Sequence, residues 1–224
     1  MATDWPCITY VATEALLVVD LLDRCQDPLL AAEAELAYNV THARLRELKA
    51  GRSTARHALR LFGIEPVPIL PTSGGAPGWP RGFCGSLSHS HRHIAVLLAH
   101  SSHYESVGID IEDGRSLGAA TSPTVVTERE LQAIDRADWK VPGSTAEGIA
   151  FSAKEAVFKC QFPMTLDASL DFLDVSLELG KSPKCLAIRL VDSGRPVLTS
   201  LADRIHIHAL SAFGVTVVCA LLDR

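Results

Sequence analysis

Hydrophobic and polar positions alternate between Val107 and Glu112: Val107, Ile109 and Ile111 fall on one side, and Gly108, Asp110 and Glu112 on the other. A period of two is the signature of a strand with one buried face. Denser apolar stretches predict further strands at Glu14–Leu22, Phe83–Ser88 and His93–His100. In the carboxyl-terminal part, strands are expected at Leu173–Leu179, Cys185–Val191, Ile205–Ser211 and Val215–Leu222, punctuated by Gly180, Ser193-Gly194 and Gly214. Helical spacing predicts one or two helices over Pro28–Phe62, with Leu45, Leu48, Ala55, Leu59 and Phe62 on one stripe. Thr127–Ala137 predicts another helix, because Thr127 and Glu130 form a capping-box pattern. A third helix, entered through Ser144-Thr145, carries Phe151–Lys159. Pro66–Gly82 is a Pro- and Gly-rich loop, and 113–123 is a polar connection.

Helices followed by strands, twice over, predict an α+β fold of two similar halves. The halves are placed at 1–112 and 113–224, although no residue-level repeat is visible. With 224 residues and 47% hydrophobic content, the chain can bury one large core or two small ones. A net charge of −5 without any basic tail argues against nucleic acid as a partner. The runs Ile94–Ala99 and Val215–Leu222 are too short to cross a bilayer, and no basic region precedes an apolar one at the start. Six scattered cysteines without a Cys-x-x-Cys pair read as reduced, mostly buried thiols. A cytoplasmic monomer is the expectation.

The chemistry concentrates at two places. Asp110 and Glu112, two apart on one strand face, stand about 6.5–7 Å apart at their backbones and can converge on a hard cation. About forty residues on, Glu155 and Lys159 share a helix face and add a carboxylate and a cation. Lys154 projects about 100° away from Glu155. A third feature is the basic helix Arg44–Arg60, in which Lys49, Arg52, Arg56 and Arg60 form a stripe that either faces water or meets phosphate oxygens.

The pair Val107-Gly-Ile-Asp-Ile-Glu112 and Phe151-Ser-Ala-Lys-Glu-Ala-Val-Phe-Lys159 resembles the signature of the Sfp-type 4′-phosphopantetheinyl transferases. That signature reads Gly-(Ile/Val)-Asp-(Ile/Val)-Glu, then (Trp/Phe)-x-x-Lys-Glu-(Ala/Ser)-x-x-Lys. Arg44, Glu47, Gly51, Arg52 and Arg56 match a further family segment, with Leu48 where the family often has Phe. Gly85-Ser-Leu-Ser-His89 matches its Gly-Ser-(Leu/Ile)-(Ser/Thr)-His motif. The resemblance spans roughly residues 40–160, and Phe151 at the usual Trp position places it nearer the siderophore-associated subgroup.

It implies a pseudo-twofold fold of two α/β halves with the active site between them. It also implies Mg²⁺-dependent transfer of 4′-phosphopantetheine from coenzyme A to a serine of an apo acyl or peptidyl carrier protein, releasing 3′,5′-ADP. Asp110, Glu112 and Glu155 would ligate the metal. Glu155, or a water held by the metal beside it, would take the serine proton, and Lys159 would offset charge on the phosphates. Arg44, Arg52, Arg56, Ser88, His89, Lys154 and Lys159 would contact coenzyme A. A catalytically silent coenzyme A- or carrier-binding homologue and a metal-dependent coenzyme A pyrophosphate hydrolase are the alternatives.

Two local features stand beside this. His89, His91 and His93 would share a face of an extended segment, a zinc-like spacing that no other ligand completes; His91, His93, His100 and His103 read as exposed. The loop Pro71–Pro80 lacks the basic residue that many relatives place there, so backbone amides or Arg81 would have to substitute.

Overall fold

The computed structural model describes residues 6–113, 122–137, 142–180, 186–190, 196–212 and 214–224. Its strands are β1 (Cys7–Ala12), β2 (Ala15–Leu21), β3 (Phe83–His89), β4 (His93–His100), β5 (Tyr104–Glu112), β6 (Val175–Leu179), β7 (Leu186–Leu190), β8 (Ile205–Ala212) and β9 (Val215–Asp223). Its helices are α1 (His42–Leu61), α2 (Ser122–Val125), α3 (Glu128–Arg136), α4 (Ala146–Thr165) and α5 (Pro196–Ala202), with short 3-10 turns at Ala31–Ala37 and Phe172–Asp174.

Two antiparallel sheets form. One runs β1-β2-β4-β3 and the other β5-β9-β8-β7-β6. Leu17, Val19, Ala95 and Leu97 of the first meet Val107, Ile109, Ile111 and Val217 of the second in a shared core. On the far side of the first sheet, Leu16, Val18, Val96 and Leu98 pack on Ala55, Ala58 and Leu59 of α1. On the far side of the second, Val218, Ala220 and Leu222 pack on Ala150, Ala153 and Val157 of α4. The layers are therefore helix, sheet, sheet, helix, and both faces of the central strands are dry. That is why β2 and β9 read as nearly continuous apolar runs instead of alternating.

β5 hydrogen-bonds to β9, with Asp110 opposite Val218 and Glu112 opposite Thr216. The second sheet thus takes its edge strand from residues before 113. Across the seam to β3, the Ser86 hydroxyl accepts the Ile109 N–H at 3.2 Å.

Several sequence expectations shift. β1 was not foreseen: Glu14, at φ 54°, turns the chain between β1 and β2. Pro28–Phe62 holds one long helix, started by Thr41, whose side chain accepts the Arg44 N–H, after only a short 3-10 turn. The strand expected from Leu173 starts at Val175, because Phe172–Asp174 make a turn first, and α5 was also missed. Residues 185 and 191–195 and most of the 113–123 connection lie outside the described residues. Five free cysteines are described; four are buried, and burial pushes the Cys25 and Cys219 thiols up to about 12 and Cys84 up to about 11. Among the described residues no helix is long and apolar enough to cross a membrane.

Candidate active site

Helix α4 lies against β5 at Gly108, so the acids of β5 and the polar face of α4 meet at the seam. Lys159 Nζ donates to Asp110 Oδ1 at 2.7 Å and to Ser88 Oγ at 3.2 Å; Ser88 Oγ donates to the same Asp110 oxygen at 2.8 Å. Three elements, β3, β5 and α4, thus converge on one carboxylate that is itself buried.

This triangle forms the floor of a cavity of about 400 Å³ lined by Arg44, Arg52, His89, Gly75, Pro77 and Lys159, among others. At its rim Arg44 donates to Glu47 at 3.2 Å, and His89 Nε2 stands 3.5 Å from the same Glu47 oxygen. Arg52 is buried, and among the described residues its Nε has no hydrogen-bond partner: Glu33 Oε1 is 4.0 Å away, beyond reach. A buried guanidinium with an unmet donor at a cavity wall favours an anionic oxygen. Two more cavities adjoin. One of about 370 Å³ is lined by Glu155, Phe158, Leu170 and Phe172; another of about 410 Å³ shares Lys159 and Phe158 with its neighbours.

Glu155 is partly buried on α4. Burial raises its carboxyl above the ordinary range, the Asp110 charge raises it further, and the Lys159 ammonium opposes both. Asp110, Lys159 and Glu155 therefore sense one another. Among the described residues, however, no three His, Cys, Asp or Glu side chains converge into a ready-made metal cluster, and Lys159 already occupies Asp110. Glu112 is half-buried two residues along β5 and is not part of the cavity lining. The donors present still suit Mg²⁺. It takes hard oxygens, commonly one or two carboxylates, and completes its shell with phosphate and water instead of an all-protein cage. Mutual repulsion of Asp110 and Glu155 in a desolvated cleft is what such a cation would relieve.

Two residues expected to touch coenzyme A do other work. Arg56 is 2% exposed, and its guanidinium donates to Glu33 Oε2 at 2.9 Å and to the Pro28 carbonyl at 3.1 Å, away from the cavity. Lys154 is 3% exposed and borders the cavity beside Glu155, but its Nζ is held by Glu130 Oε1 at 2.8 Å and by the carbonyls of Val125 and Phe172 at 2.7 and 2.8 Å. His93, expected at the surface, is buried with Nδ1 2.9 Å from Asp113 Oδ1. Arg81 is exposed and does not line the 400 Å³ cavity, so Gly75 and Pro77 are what the 71–80 loop brings to it. Reasoning from sequence noted Glu47 only as a match to the basic-helix motif and did not single out Phe158 or Phe172, which come from α4 and the Phe172–Asp174 turn and share no sequence pattern.

Residues 32–99 match the family model described as the 4′-phosphopantetheinyl transferase N-terminal domain, and residues 106–211 match the 4′-phosphopantetheinyl transferase superfamily. The chain is 34% identical over 177 residues to 4′-phosphopantetheinyl transferase Svp of Streptomyces mobaraensis, covering 77% of this chain and 71% of that protein. It is 36% identical over 137 residues to 4′-phosphopantetheinyl transferase Npt of Nocardia iowensis, covering 60% of this chain and 59% of the relative. Enterobactin synthase component D of Shigella flexneri is 34% identical over 160 residues, 67% of this chain and 74% of that one. Matched in order along both halves, the chain belongs to the 4′-phosphopantetheinyl transferase superfamily and is an enzyme of that class.

Proposed function

We propose that this enzyme transfers the 4′-phosphopantetheine group of coenzyme A to a serine hydroxyl of an apo carrier protein, with Asp110 and Glu155 supplying carboxylates to Mg²⁺ and Glu112 beside them on the same strand face as Asp110. The halves 1–112 and 113–224 would supply opposite walls of the site, the first through β5 and the basic helix, the second through α4. What carries this reading is the contact of Lys159 with Asp110 and Ser88 at the floor of a cavity walled by Arg44, Arg52 and His89. A pyrophosphate needs that arrangement: cations along its length, and a carboxylate-rich end where the bond breaks.

In the reaction, the serine oxygen forms a bond to the phosphorus that carries the pantetheine arm. The bond from that phosphorus to the departing 3′,5′-ADP oxygen breaks. Arg44, Arg52 and His89 hold the nucleotide phosphates by charge and hydrogen bonding. Lys159 neutralises charge gathering on the bridging oxygens. Mg²⁺, when bound, would supply Lewis-acid neutralisation of phosphate charge. Glu155 accepts the serine proton; a carboxylate has two oxygens, so holding a cation leaves an acceptor. Burial and the Asp110 charge raise its carboxyl in the metal-free protein, and a bound cation would lower it again. The cavity beside Glu155, with Phe158, Leu170, Phe172 and Val175 among its lining, offers apolar wall to the pantetheine arm. Free buried thiols support a reducing, cytoplasmic compartment.

The test mixes the protein with coenzyme A, Mg²⁺ and a panel of apo carrier proteins and weighs the carriers. A mass gain of one phosphopantetheine group is expected on at least one. Release of 3′,5′-ADP at full rate with no carrier present would replace the reading by pyrophosphate hydrolysis.

A further inference from the structure

The two halves contain the same buried ion pair. Glu33 and Glu130 are each 0% exposed. Each accepts the N–H of the residue three positions before it, Leu30 at 2.9 Å and Thr127 at 2.7 Å. Each accepts the N–H of a residue much further along, Ile69 at 2.8 Å and Leu177 at 3.1 Å. Each is paired with a cation on the long helix of its half, Arg56 of α1 and Lys154 of α4. That cation also donates to the carbonyl five residues before the glutamate, Pro28 in one half and Val125 in the other. One carboxylate thus fastens a turn, a distant strand or loop and the long helix. The residue after the cation is His57 in the first half and Glu155 in the second. The device is common to both halves, whereas the carboxylate is not.

On the transferase reading, we propose that the Glu130–Lys154 pair is a positioning element that acts through Glu155 and does not bind coenzyme A. Lys154 has three N–H donors, and three protein acceptors at 2.7–2.8 Å take them. None remains for a phosphate. Two of those partners anchor the surroundings of Glu155. Phe172 lines the cavity beside it and stacks on Phe151 at 5.4 Å between ring centroids, and Glu130 ties α3 to β6. Releasing Lys154 frees the α4 turn that carries Glu155 and the wall it faces. The orientation of the reacting groups depends on both.

The experiment compares Glu130→Gln/Lys154→Met, Glu130→Gln alone and Lys154→Arg with the wild type. The double variant removes both charges, so neither is stranded in the interior. Cooperative unfolding verifies that each is folded. Coenzyme A affinity is measured by calorimetry without a carrier, and kcat and KM are measured with one. Expected for the double variant, or for Glu130→Gln if the double does not fold, is a coenzyme A Kd within about twofold of wild type and a kcat lowered at least about tenfold, since small misplacements of reacting groups cost that much. Lys154→Arg should recover kcat to within about threefold, because Arg56 shows an arginine meeting the equivalent acceptors. A Kd weakened about tenfold or more at unchanged kcat would make Lys154 a ligand and overturn the proposal. So would variants with wild-type kcat. A wild-type protein that modifies no carrier overturns the transferase reading and this inference together; an active wild type beside unaffected variants overturns the inference alone.

Discussion

Gly108 of β5 and Ala156 of α4 are in direct backbone contact: a Cβ built on Gly108 would sit 1.9 Å from the Ala156 carbonyl oxygen and 2.7 Å from the Cys160 nitrogen. Both clashing atoms are backbone, so neither can swing aside. Gly108 therefore sets how closely α4 approaches β5, and with it the 2.7 Å reach of Lys159 to Asp110. Gly108→Ala should destabilise the fold by about 3 kcal/mol or more, the upper end of the range for overpacking. Chemical denaturation measures this; a stability within 1 kcal/mol of wild type, roughly the effect of an ordinary mutation, would mean the helix does not seat there.

Asp110 accepts two hydrogen bonds at one buried oxygen, and Lys159 is one of the donors. Asp110→Asn keeps the size and leaves an acceptor for Ser88 while removing the charge. Transfer should fall at least about a hundredfold, with cooperative unfolding retained. Lys159→Met should leave the protein able to bind Mg²⁺, read as a magnesium-induced rise in Tm, yet lower kcat about ten- to a hundredfold. Wild-type turnover in either variant would remove that residue from the reaction.

The acid-bearing strand was legible because period two reports its own faces: Ile109 and Ile111 are core, and Gly108 and Asp110 face α4 and Lys159. The helix start at Thr127 was legible because a capping box is local. The partners of Arg56 and Lys154 were not legible, for the opposite reason. They are Glu33 and Glu130, on other elements, and a charge on a helix looks the same in sequence whether it meets water, phosphate or a buried carboxylate. β1 escaped because Cys7–Ala12 has mixed burial at a sheet edge, so no clean alternation marks it.

Glu155 carries a stability cost that depends on pH. Its folded-state carboxyl is raised by burial and by Asp110. A group whose folded pKa lies above its unfolded value favours the folded state while protonated. That advantage is lost as pH rises from the unfolded value, about 4.3, through the folded one. Glu155→Gln should therefore raise Tm near pH 7 and raise it progressively less toward pH 4, while transfer falls by about a hundredfold or more for want of a base. Added Mg²⁺ should raise Tm of the wild type more than of this variant, since binding to the folded state stabilises it. A Tm difference independent of pH would show that the Glu155 carboxyl is not raised.

Arg52 and Arg56 stand one helical turn apart on α1, yet should fail differently. Arg52 lines the cavity with an unmet Nε, while both terminal nitrogens of Arg56 are engaged inside the protein. Arg52→Met should weaken coenzyme A binding by about tenfold or more, the loss of a charge-assisted bond, with only a modest change in Tm. Arg56→Met strands the fully buried Glu33 carboxylate and should cost about 3–5 kcal/mol of stability. At a temperature where that variant is still folded, its coenzyme A affinity should stay within about threefold of wild type, since no contact to the ligand is removed. Calorimetry on both variants, paired with urea unfolding, separates the two arginines. Equal losses of affinity at equal stability would return Arg56 to the binding site.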